Sequence, residues 1–182
     1  VYNETIMTFG GSYDMKDMAR YRLQMASDLL FGLIFGWRQL EGWHPALPQE
    51  GYEAQAEFSR RMAALRAADV HMFSLSEVLR PPVVEGDNPV MPVTAEQGPL
   101  LVKRAVQSGA YRSEDGRVGV CLVNCDQVPH TVMVRFPAQV AQVFAVTSPD
   151  ATPQPVALTE GLLTASLPAA SGVLYVTQVA GR

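Results

Sequence analysis

The sequence is poor in most of the residues that announce a chemistry. Two cysteines, three histidines and two tryptophans occur in 182 residues, and aromatics make up 8% of the chain. Cys121 and Cys125 would lie ~13 Å apart in an extended strand, at ~3.3 Å per residue. A disulfide needs Cα atoms within ~7 Å, so they pair only if a turn folds between them; otherwise they are two buried thiols. No disulfide framework is supported. His44, His71 and His130 are too scattered for a zinc site, which wants close, patterned spacing, so no metal and no cofactor is expected. Charge is sparse as well: 14 Lys+Arg against 18 Asp+Glu leave −4, with no basic field for a nucleic-acid backbone. The longest apolar run, Leu29 to Trp37, is nine residues, against ~20 for a bilayer-spanning helix. Neither nucleic acid nor membrane is expected as a partner. Phe9-Gly10-Gly11-Ser12 has neither the spacing nor the Lys of a P-loop, and Ser12 and Ser27 lack a nucleophile-elbow context.

What is abundant is apolar material, 48% of the chain, enough for a packed core. It is arranged in two halves. Met15, Met18, Met25, Leu29 and Leu33 recur near a helical period and predict a helix from Asp14 to Trp37. Ser12 and Asp14 are the N-cap candidates, and Asp17 adds negative charge to the first turn. From Leu29 onward this helix is apolar on every side and must be covered all round. Gly32 and Gly36 share a face that would admit a close neighbour. Gly42, Pro45 and Pro48 then break the pattern. Ala54, Phe58, Met62, Leu65 and Ala68 form the stripe of a second helix, Tyr52 to Val70, with Glu57 and Arg61 paired on its wet side. Arg80-Pro81-Pro82 ends the helical half.

The second half is written in strands: Leu100–Tyr111, Arg117–Asn124, Thr131–Phe136, Val140–Val146, Pro155–Leu158, Leu162–Leu167 and Gly172–Gln178. Val83, Val84, Val90 and Val93 suggest a further strand before them. Glu114-Asp115-Gly116 is a hairpin signal, because Asp-Gly tolerates positive φ. Short strands at close spacing argue for an antiparallel sandwich. The expected fold is therefore α+β: an N-terminal helical segment, residues 1–82, packed on a C-terminal antiparallel β-sandwich, residues 83–182.

Four stretches carry a family resemblance. Val1-Tyr2-Asn3-Glu4 with Thr8-Phe9-Gly10 is similar to the turn after the last strand of a (β/α)₈ barrel. Ala26 to Trp37 resembles the barrel helix that follows, and Phe58 to Pro82 the helix and exit segment that leave the barrel. Tyr111 to Asn124 resembles the β-sandwich that commonly trails such a barrel. The family is that of bacterial glycoside-hydrolase-like proteins distantly related to the α-galactosidase type. The resemblance implies a carbohydrate-active parent of which this chain, opening at Val1 without an initiator Met, is the C-terminal portion.

Barrel enzymes place their sites where strands end and loops begin. On the resemblance, Tyr2, Glu4, Tyr13 and Asp14 lie near that face and are candidate substrate contacts. A glycosidase needs two flanking carboxyl groups, and the pair would sit on earlier strands, so no catalytic residue is assigned. Glu4 has a plainer reading as a helix cap or ion-pair partner. Trp43, in the Glu41-Gly42-Trp43-His44-Pro45 turn, either stacks on a sugar or closes that turn over the core, and Trp37 belongs to the core. Three functions follow: the closing portion of a glycoside-hydrolase-like protein without activity alone, a stand-alone carbohydrate-binding sandwich, or an assembly module. For the last, a homo-oligomer is expected through the apolar helix Leu29 to Trp37.

Overall fold

The computed structural model describes residues 13–35, 38–39, 50–91, 93 and 103–177. Two two-residue strands, β1 (Tyr13–Asp14) and β2 (Arg38–Gln39), run parallel, with Tyr13 opposite Arg38 and Asp14 opposite Gln39. Parallel neighbours need a crossover, and here it is α1 (Met18–Leu30). Asp17, rather than Ser12 or Asp14, is the N-cap: its carboxylate accepts from the Arg20 amide at 3.0 Å. Asp14 is already committed to β1.

The helix also ends seven residues sooner than the apolar pattern predicts. Leu33 N–H donates to Asp28 O at 2.8 Å and Gly32 N–H to Leu29 O at 3.0 Å, with Gly32 at φ +68. That is a Schellman closure, in which glycine supplies the left-handed residue that other side chains resist. Gly32 thus stops the helix instead of opening its face to a neighbour; Gly36 and Trp37 lie outside the described residues. The apolar run Leu29 to Trp37 is divided by this turn: Leu29 and Leu30 are buried, whereas Phe31 is 52% exposed.

α2 (Glu53–Ala68) buries Gln55, Phe58, Ser59, Met62 and Leu65. This stripe is rotated from the expected one: Ala54 is exposed and Gln55 takes its place. The helix breaks at Asp69, whose carboxylate caps α3 (Val70–Ser74) by accepting from the Met72 amide at 3.1 Å. Arg66, in the last turn of α2, donates to Leu33 O and to Ser74 Oγ and lies 5.6 Å from the centre of the Phe35 ring, tying the end of α1 to α2 and α3.

The strands that follow are β3 (Glu77–Leu79), β4 (Val84–Gly86), β5 (Val90–Met91), β6 (Lys103–Arg104), β7 (Val106–Arg112), β8 (Val118–Asn124), β9 (His130–Arg135), β10 (Gln142–Val146), β11 (Gln154–Ala157), β12 (Leu162–Leu167) and β13 (Ser171–Val176). They form an antiparallel six-stranded sheet in the order β11-β10-β13-β8-β7-β3, a three-stranded sheet β12-β9-β4, and the pair β5-β6. Arg80-Pro81-Pro82 does not end a helix. It carries the chain from one sheet to the other: β3 pairs with β7, and β4 pairs with β9. β3, on the near side of the Pro82–Val83 division, therefore belongs to the sandwich. The β7–β8 hairpin turns at Glu114-Asp115-Gly116 as its Asp-Gly pair predicts, with Gly116 at φ +83.

Burial explains why the strands read differently. β12 and β9 alternate, because the small sheet is covered on one face. β8 is buried at every position. Its successive side chains enter two cores: Cys121 and Val123 face the helices with Met25, Leu29, Phe58, Met62 and Leu65, while Val120 and Leu122 face the small sheet with Val132, Val134, Leu163 and Ala165. The layers are helix, sheet, sheet. A Cβ added at Gly172 of β13 would stand 2.7 Å from Leu65 Cδ2 and 3.2 Å from Met62 Cε, so this glycine sets how near α2 approaches. Cys121 and Cys125 are free and buried, and burial pushes both thiols up, Cys125 to about 12. They are packing residues here, not a bridge.

Candidate functional site

The first place to look is fixed by topology. In parallel β/α units, ligands meet the carboxyl ends of the strands, which here are Asp14 and Gln39, side by side in register. Beneath this edge lies a buried polar seam. The Tyr13 ring is 1% exposed, its hydroxyl donates to the Asp28 carboxylate of α1, and its ring meets Tyr21 edge-on, centroids 5.7 Å apart. Tyr21 shares a short hydrogen bond with Ser59 Oγ and reaches Gln55 O at 3.3 Å. Gln55 Nε2 in turn donates to Met15 O at 2.8 Å. The turn that leaves β1 is thereby tied to α2, which keeps the strand end in place. The Gln55 Oε1 atom is buried without a hydrogen-bond partner.

Of the residues expected near substrate, Tyr13 and Asp14 fall on β1, Tyr13 turned toward the helices and Asp14 at the strand end. The Asp14 side chain, Tyr2, Glu4 and Trp43 lie outside the described residues. Tyr21, Asp28, Gln55 and Ser59 were not foreseen. Their signal was available: Tyr21 and Asp28 are seven apart on α1, and Gln55 and Ser59 four apart on α2, so each pair shares a helix face.

Two clefts open elsewhere. One, of about 490 Å³, lies between the α2–α3 junction and the β10–β13 edge, with Phe144 and Val176 in its walls and Asp69 and Arg117 in its lining. Phe144 is half-buried, unlike Tyr111, Phe136 and Tyr175, which are core. The charges in this cleft already have partners. Arg117 binds the Asp69 carboxylate at 2.6 Å and that of Asp115 at 2.8 Å. Hydrogen bonds from Ser113, then Arg117, hold the Asp115 carboxyl well below the usual range. Burial opposes the Arg117 charge, but its two carboxylate partners raise it on balance. Among the described residues, no acid lining this cleft is left without a cationic partner. The other cleft, about 1010 Å³, is lined among others by Arg80, Glu85, Arg135, Phe136, Pro137 and Glu160. Glu160 and Gly161, at φ +54 and +75, make the tight turn into β12 at its rim. Phe136 is 4% exposed and offers no flat platform. Among the described residues, no group of three or more His, Cys, Asp or Glu side chains is arranged to hold a metal ion, and no helix is long and apolar enough to cross a membrane.

No family model matches the chain, and no curated protein matches it. Solved structures do. A GH30 endoxylanase from Clostridium papyrosolvens C71 superposes with a TM-score of 0.52 at 12% identity, over 94% of this chain and 41% of the endoxylanase. The fold is glycoside-hydrolase-like. A GH51 arabinofuranosidase from Xanthomonas axonopodis pv. citri gives 0.49 at 16% identity, over 94% of this chain and 37% of that one. CelM2, a bifunctional glucanase-xylanase from a metagenome library, gives 0.45 at 17%, over 93% and 30%. The chain thus spans less than half the length of each of these proteins.

Proposed function

We propose that this chain is the closing portion of a glycoside-hydrolase-like, carbohydrate-active protein, without hydrolytic turnover of its own. The observation that carries the reading is the β1–α1–β2 crossover passing through α2 directly into a β-sandwich. On this reading residues 1–82 hold the last β/α units and the exit helix, and residues 83–182 the trailing sandwich, with β3 as the strand that joins them. The carboxyl ends of β1 and β2 face the substrate, and Asp14, Tyr2, Glu4 and Trp43 remain the contacts that the sequence resemblance implies. Tyr13 acts from behind, held by Asp28.

Two substrate classes compete: xylan, from the endoxylanase likeness, and α-galactosides, from the sequence resemblance. The chain should release no chromophore from 4-nitrophenyl α-galactoside or β-xyloside, yet retard in affinity gels cast with soluble xylan or galactomannan. Turnover abolished by Glu4→Gln would overturn the claim of inactivity. Unaltered mobility in both polysaccharides would overturn the carbohydrate reading.

A second reading rests on Phe31, 52% exposed at the end of α1. We propose that two copies of the chain meet around this ring. Sedimentation at micromolar concentration should show a dimer that Phe31→Ser dissociates; a monomeric wild-type chain would end this reading.

A further inference from the structure

At the end of the sandwich, the His130 side chain is 3% exposed and lies between two carboxylates. Its Nδ1 is 2.8 Å from Asp87 Oδ2, and its Nε2 is 3.0 Å from Asp126 Oδ2. A neutral imidazole has one N–H and one lone pair. With a carboxylate on each side, the neutral ring would turn its lone pair onto an oxygen that has no proton to give. Only the imidazolium donates to both. The contacts span the fold: Asp87 lies in the turn after β4, Asp126 in the turn after β8, and His130 opens β9. Across the sheet, β12 places Leu167 opposite His130 and contributes no charge. Among the described residues, a further charged group, Arg22 of α1, lies one step out. Its guanidinium donates to Cys125 O at 3.4 Å, and its charge acts on Asp126.

We infer that His130 is a proton-dependent clasp: as the imidazolium it joins the turns after β4 and β8, and loss of the proton releases that end of the sandwich and the turn on which α1 rests. The charge balance agrees with this. Burial disfavours the His130 charge, but the hydrogen bonds and charges of Asp87 and Asp126 outweigh it and raise the ring above 6.5. Burial likewise opposes the Asp126 charge, and the His130 hydrogen bond brings that carboxyl below 3.8. A raised histidine contributes its full stabilisation below 6.5, and that stabilisation disappears as pH climbs through the folded value. A depressed carboxyl contributes fully above 3.8 and loses its share as pH falls through the folded value. The clasp is therefore fully closed between pH 3.8 and 6.5 and opens on either side, as pH rises through the raised value of the ring or falls through the lowered value of Asp126.

The test is a ¹⁵N titration of the His130 ring in the intact chain, paired with urea unfolding from pH 6 to 9. Both ring nitrogens should remain protonated above pH 6.5, and wild-type stability should fall through the same interval in which the ring titrates. His130→Gln should remove that fall while leaving the chain folded. If His130→Gln does not fold, Asp87→Asn, at an exposed partner, should lower the midpoint of the ring toward 6.5. A single-tautomer pattern at pH 6.5, a midpoint at or below 6.5, or an unchanged pH dependence in the folded variants would overturn the inference.

Discussion

Asn124→Ala is expected to cost about 3 kcal/mol and to loosen the same end of the sandwich that His130 holds. Asn124 is fully buried at the end of β8. Its Nδ2 donates to Val128 O at 2.8 Å and Pro168 O at 2.9 Å, and its Oδ1 accepts from the Asp126 amide at 2.9 Å. One side chain therefore closes the turn from Asp126 to Val128 and fastens it to the turn between β12 and β13. Alanine strips these part-buried backbone groups of their partners and leaves a void where the buried Asn124 side chain stood. Each orphaned group costs ~1–3 kcal/mol, well above the ~1 kcal/mol net worth of a hydrogen bond replaced by water. Pro168 O keeps one donor, Ser171 Oγ at 2.7 Å, so the losses fall chiefly on Val128 O and the Asp126 amide. Asn124→Asp separates the two sides of the side chain: it keeps the acceptor for Asp126 but faces two carbonyl oxygens with a carboxylate, so it should be worse than alanine at pH 7 and recover in acid. Urea unfolding measures both; a loss below about 1 kcal/mol for the alanine variant would mean that the turn is held by other contacts. Because Asp126 also binds His130, the double variant Asn124→Ala/His130→Gln should cost less than the sum of its parts.

The legible parts of the fold are those whose signal is local. β9 and β12 show their alternation because one face is dry, and the β7–β8 hairpin shows its Asp-Gly turn. β8 lacks alternation, being buried on both faces, and was readable only as a short β-branched run after a turn signal. The end of α1 was not legible. Leu29 to Trp37 stays apolar across a helix terminus because both the helix and the turn after it adjoin the core, and composition carries no mark of where one becomes the other. Gly32 was the mark, readable either as a small helix face or as a left-handed stop, and hydrogen bonding decides for the stop. β1 and β2 are two residues each, too short for any period; they exist through pairing across 23 residues of intervening chain. The polar seam was missed for a different reason. Gln55 and Ser59 read as solvent-facing by residue type, although their spacing puts them beside Phe58 and Met62. The His130 clasp draws on Asp87, 43 positions away, and no spacing rule joins them.

Phe58→Ala is expected to have the largest effect of any single core truncation in the helical layer, about 3–5 kcal/mol, with a fall in Tm of roughly 10 °C. Phe58 is fully buried on α2. Its ring meets Tyr21 edge-on at 6.5 Å, and the Arg22 guanidinium lies 5.8 Å from its centre. Truncation therefore does more than leave an apolar void. Arg22 is a buried cation whose pKa is lowered chiefly by desolvation, and among the described residues its Nε has no hydrogen-bond partner. The ring face of Phe58 is part of what makes that charge tolerable, since a desolvated cation over an aromatic face gains ~2 kcal/mol. Removing it adds an electrostatic loss to the cavity cost. Phe58→Leu restores most of the volume but not the π face, so the part of the loss that leucine fails to recover measures the cation–π share. Arg22→Met in the Phe58→Ala background separates the two again: with no charge to strand, the second substitution should recover part of the loss. If Phe58→Ala costs less than about 1.5 kcal/mol by urea unfolding, α2 does not rest on α1 and β13 as described. The carboxyl ends of β1 and β2 would then lack the support that makes them a candidate site, because Gln55, which fixes Met15, sits on the same face of α2 as Phe58.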